Sequence, residues 1–189
     1  MSALPGVFLS FCAMLLSDFL KLRGKQGWGS AALLLGMLLL MVFLVASVFA
    51  GGWFAVAVPL RVFFFLLAGF AGVMVAISLF VSLPVKATYL AAGQVPLQDQ
   101  GMYALCRHPA ALWLPFLLLG AAAGLGSRGL MAAGGAASLL NGFYVWFQDS
   151  IVFPRTIPGY RDYRRRVPFL IPTRSSIRNA LGKQAAGQE

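Results

Sequence analysis

Five long apolar runs constrain this chain more than any other feature of it. They are Leu4 to Leu20, Ala31 to Val58, Val62 to Val85, Ala110 to Gly126 and Leu130 to Phe153. A helix needs about 20 apolar residues to cross the hydrocarbon of a bilayer, and an open strand would leave backbone groups unpaired in lipid. The runs therefore predict an all-α polytopic membrane protein with about five transmembrane helices. Composition points the same way: 11% of the 189 residues are charged, against about 25% in a soluble domain. Only Ser127-Arg128-Gly129 separates the last two runs, which predicts a tight C-terminal helical hairpin.

The basic residues give an orientation. Lys21, Arg23 and Lys25 follow the first run, and Lys86 and Arg107 lie between the third and fourth. Arg155, Arg161, Arg164, Arg165, Arg166, Arg174, Arg178 and Lys183 follow the fifth, leaving only Arg61 and Arg128 for the other side. The positive-inside rule then puts the N-terminus outside and the C-terminus in the cytoplasm. A multi-pass protein of a bacterial inner membrane is expected. Orientation and attraction to anionic lipid headgroups account for the net charge of +10, so nucleic acid is not an expected partner. The first run lacks the basic n-region and A-x-A site of a signal peptide.

The chain divides into unlike parts. Residues 1–86 read as a three-span scaffold, with Gly69, Ala71, Gly72 and Ala76 letting helices approach. Asp18 is the polar exception there, and Lys21 one turn on predicts an interfacial ion pair. Residues 87–172 hold a polar loop, the hairpin and a C-terminal cover, and 173–189 a basic tail. Cys12 and Cys106 lie at different predicted depths, which predicts free thiols. His108 is the only histidine, so no metal site is expected.

Polar residues concentrate in three places. The stretch 93–109 reads GQVPLQDQGMYALCRHP, with Pro109 at a helix start and His108 near its N-cap. Exposed N–H groups beside Arg107 and His108 make a local site for an anion. In the fifth run, Asn141, Tyr144 and Gln148 share one helical face, with Asp149 adjacent. That stripe fits either a helix-packing seam or the wall of a polar cavity. After Phe153, Tyr160, Tyr163, Phe169, Leu170 and Ile171 make the basic segment apolar enough to fold back and cover something.

The motifs Gly101-Met102-Tyr103-Ala104-Leu105-Cys106-Arg107-His108-Pro109 and Tyr160-Arg161-Asp162-Tyr163, followed by Val167-Pro168 and Pro172, stand in order around the predicted hairpin. Over residues 93–172 this pattern resembles the isoprenylcysteine carboxyl methyltransferase and phospholipid methyltransferase family of membrane enzymes. The resemblance implies a methyltransferase using S-adenosylmethionine at the cytoplasmic membrane face. Its acceptor would be a membrane lipid or other lipophilic small molecule. It implies donor contacts from Val95, Pro96, Leu97 and Gln98 to the adenosine. Further contacts fall to Tyr103, His108, Pro109, Ala110 and Ala111, and to Gln148 on the last span. Arg107 and the helix start suit the donor's carboxylate, and Asp149 suits its cationic part. Catalytic residues stay unassigned. The chain departs from the family where Gln148-Asp149 replaces a Glu pair, Ala111 a Tyr, and Trp113 a small residue whose place it would fill in the pocket. Tyr144 stands where the prenylcysteine enzymes hold substrate with an Arg, which argues against prenylcysteine. A non-catalytic relative is the alternative, and a nicotinamide-dependent membrane reductase a more distant one.

Overall fold

The computed structural model describes residues 3–82 and 96–186, with side chains to Ala180. The helices are α1 (Leu4–Leu22), α2 (Gln26–Val48), α3 (Val58–Ala76), α4 (Met102–Leu105), α5 (Pro109–Leu125), α6 (Arg128–Phe147), α7 (Phe153–Thr156), α8 (Tyr160–Arg166) and α9 (Arg174–Ala186). A π-helical turn extends α3 over Ile77–Val81, and another joins α6 to α7 over Gln148–Val152. Among the described residues, four segments are long and apolar enough to cross a bilayer: Leu4–Leu22, Gln26–Val48, Val58–Val81 and Arg128–Thr156. The fourth apolar run forms α5, whose 17 residues reach about 25 Å at 1.5 Å per residue.

The second helix departs from the sequence expectation. It starts at Gln26 and ends at Val48, not Val58. Gly51 and Gly52 both take φ 77°, a left-handed conformation that ends helix, and Pro59 in the first turn of α3 restarts it. The intervening loop clasps the hairpin turn. Phe54 N–H donates to Gly126 O at 2.7 Å, and Arg128 N–H to Gly52 O at 3.1 Å. Ser127 caps α6 by accepting from Leu130 N–H, while its hydroxyl donates to Val48 O at 2.8 Å.

α1 packs on α2 and α6, α5 on α6, and α3 on α5. Small residues let the backbones meet, since lipid gives no hydrophobic drive between helices. Gly36 of α2 lies against Met14 and the Ser10 carbonyl, Gly120 of α5 against Ala68 and the Phe64 carbonyl, and Gly134 of α6 against Leu118. On α3 the close approach uses Ala68 and Ala71. Gly69, expected to share that role, has no neighbour at its Cβ position among the described residues.

α1 is a helix with two buried faces. The carbonyls of Ser10 and Ser17 and the side chains of Met14 and Lys21 meet the α2 glycines. Val7, Phe11 and Met14 join Ala133, Ala137 and Tyr144 of α6 in the core. The spacing of three and four that continues the second row leads to Asp18.

Candidate active site

A π-turn over Gln148–Val152 follows α6 and carries two of the polar residues, Gln148 and Asp149. Tyr144 and Gln148 continue the row that faces α1. Gln148 Nε2 donates to Asp18 Oδ2 at 3.1 Å and to the Tyr144 hydroxyl at 2.8 Å. Asp149, the next residue, turns the other way, toward Arg107 and His108. π-turns inserted in α-helices often mark functional positions.

Asp149 is 2% exposed and carries four side-chain partners. Arg107 Nη1 donates to both carboxylate oxygens, at 2.5 and 2.7 Å. The Tyr160 hydroxyl donates to Oδ1 at 2.7 Å, and His108 Nε2 lies 3.3 Å from the same atom. Arg164, 45% exposed, reaches in with Nε 3.4 Å from Oδ2. Arg107 is also buried, and its Nε is a buried donor with no acceptor among the described residues.

Backbone geometry delivers Arg107 and His108 to this carboxylate. α4 ends in extended chain at Cys106, and His108 precedes α5 in a non-helical conformation. The exposed edge of this short extended piece is paired. Arg107 N–H donates to Pro168 O at 2.9 Å and His108 N–H to Phe169 O at 3.2 Å. The C-terminal segment thus folds back over the site. Phe169 lies over the Arg107 guanidinium at 5.6 Å and edge-on to His108, which stacks on Phe153. α8 buries Tyr160 and Tyr163 and turns Arg161, Arg165 and Arg166 outward. Tyr163 ties the segment down by donating to Tyr103 O at 2.7 Å.

Burial sets the protonation states. It pushes His108 below its ordinary value of 6.5, helped by the Arg107 charge and opposed by the hydrogen bond and charge of Asp149. The imidazole is therefore neutral at pH 7. Burial raises the Cys106 thiol to about 11, leaving it protonated and unreactive. The phenols of Tyr160 and Tyr163 are raised too, by burial first and, for Tyr160, by Asp149 next. Tyr160 is thus a permanent donor.

Arg107, His108, Pro109 and Asp149 come together, with Ala110 and Ala111 in the first turn of α5 beside them. Leu97 approaches the start of α8 at Gly159, between exposed Pro96 and half-buried Gln98. Tyr103 contributes its carbonyl, as the anchor of Tyr163. Val95 lies outside the described residues. Gln148 and Tyr144 join Asp18 instead of Arg107 and His108, in a polar contact between α6 and α1. Trp113 packs edge-to-face on Phe70 of α3, not in a pocket beside Arg107. Asp18 accepts a hydrogen bond from Gln148, while Lys21, whose side chain lies along α2 at Gly29, acts on Asp18 by charge without a close ion pair among the described residues. Arg164 and Phe153 were not legible as site residues. Both cysteines are free, Cys12 exposed and Cys106 buried.

No family model matches the sequence, and no curated protein or solved structure matches it.

Proposed function

We propose that the protein is an S-adenosylmethionine-dependent methyltransferase acting on a lipophilic acceptor at the cytoplasmic membrane face. One observation carries this reading: the stretches 101–109 and 159–172, on either side of the hairpin, close on one buried carboxylate, Asp149. They are also the stretches in which the sequence resembles the membrane methyltransferases.

The side chains match the donor in charge and shape. Arg107 Nε, buried without an acceptor among the described residues, suits a carboxylate. Asp149 suits an ammonium or sulfonium. Phe153, Tyr160 and Phe169 provide aromatic faces for a cation or a purine. The bound donor would supply an electrophilic methyl group. The contribution of the chain is then to hold donor and acceptor in line and to exclude water with the 159–172 cover. To accept a cation, Asp149 must exchange part of its present contact with Arg107.

The accompanying membrane arrangement has five spans, with α5 as the fourth, the N-terminus outside and the C-terminus in the cytoplasm of a bacterial cell. The outward arginines of α8 then rest on anionic headgroups. The acceptor would be a membrane lipid or lipophilic small molecule arriving from the bilayer.

The mutual neutralisation of Arg107 and Asp149 favours one second reading, a non-catalytic relative that keeps the fold. Titrating the detergent-purified protein with S-adenosylmethionine in a calorimeter separates the two. Saturable binding that Asp149→Asn weakens at least tenfold supports the first. Absence of binding, with the fold intact, removes it.

A further inference from the structure

We infer that Asp18, on the first helix, is a positioning residue for the Asp149 cluster and acts through Gln148. Asp18 is 2% exposed, and both its oxygens face the Gln148 amide, at 3.1 and 3.4 Å. Unlike Asp149, it has no cation within ion-pair distance among the described residues. Lys21, one turn on, lies beyond that distance and acts on it through charge alone, and a carboxylate at the edge of a membrane span whose hydrogen-bond partners are neutral is costly to hold there. A plain helix-packing contact at this place would be met as well by leucine.

What the contact touches gives it a purpose. Gln148 is the first residue of the π-turn and Asp149 the second. A π-turn has one residue more than the α-helical repeat, so the direction of Asp149 depends on how the turn is held at its start. Asp18 grips that start from α1, and Tyr144 braces the same amide from one turn earlier, at 2.8 Å. Fixing Gln148 toward α1 leaves Asp149 aimed at Arg107 and His108. The α1–α2 pair is therefore more than scaffold: it sets the geometry of a site built from α5, α6 and the C-terminal cover.

Asp18 would act on the site proposed above for methyl transfer, but its effect is readable without any donor. His108 is the only histidine, so its imidazole signals in an NMR titration report the Asp149 cluster alone. Asp18→Asn and Asp18→Leu remove the same charge, but only the asparagine can still hydrogen-bond Gln148. Leucine should move the His108 titration toward 6.5 and speed alkylation of Cys106 about tenfold, whereas asparagine should leave both near wild type. Gln148→Leu, which breaks the contact from the other side, should reproduce the leucine effect. If Asp18→Leu and Asp18→Asn behave alike, or if Gln148→Leu leaves His108 and Cys106 unchanged, Asp18 does not position the cluster.

Discussion

The Tyr160 hydroxyl donates to Asp149 Oδ1 at 2.7 Å, joining a helix beyond the last span to a carboxylate inside it. The bond closes the cover over the site and satisfies part of a buried charge. Tyr160→Phe keeps the ring contacts with Phe153 and Tyr163 and removes only the hydroxyl. A hydrogen bond to a charged group is worth about 1.5–3 kcal/mol, so opening of the cover should become at least tenfold more frequent. Alkylation of Cys106 by a thiol reagent measures it, and an unchanged rate would show that the cover is held without this bond.

Arg107 and Asp149 should behave as a pair. Asp149→Asn leaves a buried guanidinium uncompensated and should destabilise the protein by about 3–5 kcal/mol, whereas replacing both by leucine should cost much less. Thermal unfolding in detergent of the two single variants and the double variant gives the coupling. Additive effects would mean that the two charges are screened from one another.

Acid should loosen the cover. The folded-state pKa of His108 lies below its ordinary 6.5, so the open form binds the proton more readily. Stability of the closed form is complete above about 6.5 and falls as pH drops from there toward the folded value. Cys106 accessibility, corrected for the intrinsic thiolate fraction, should rise between pH 7 and pH 5. His108→Gln should flatten that rise. A rise that persists in the variant points to another group.

Trp113 should matter for helix packing rather than for ligand. Its ring meets Phe70 and Phe116, so Trp113→Ala should lower the thermal midpoint through the α3–α5 contact. Donor affinity should stay within about twofold. A large gain in affinity would return Trp113 to the pocket.

The membrane arrangement is open to direct test. Reporters placed at the Arg128 turn and after Thr173 should read opposite sides of the membrane, because α6 and its extension run between them. Equal readings would exclude a span over Arg128–Thr156.

The apolar runs and the turn at Ser127 were enough to read an all-helical membrane protein and its final hairpin, since lipid dictates both. The second run misled at its end. Continuous hydrophobicity hides a break made by two glycines, and only their left-handed backbone shows where α2 stops. Arg107, His108, Asp149 and the tyrosines of the cover were legible because they are polar or aromatic where the pattern calls for neither. The fate of Gln148 was not. Helical spacing assigns it to the face of Tyr144, where it lies, but does not show that this face meets Asp18 of α1. Lys21 beside Asp18 is visible as local charge and acts on it, whereas the contact of Asp18 to a distant helix leaves no mark in the sequence.

The Asp18–Gln148 contact joins residues 130 positions apart, and this has a bearing on synthesis. At about 5–20 residues per second, a ribosome takes on the order of ten seconds to go from one to the other. Throughout that interval α1 is already available for insertion with its carboxylate lacking the amide that will receive it. The bundle is therefore closed by its last long helix, and a nascent chain halted in the hairpin would carry an acid at the rim of the membrane without its amide partner.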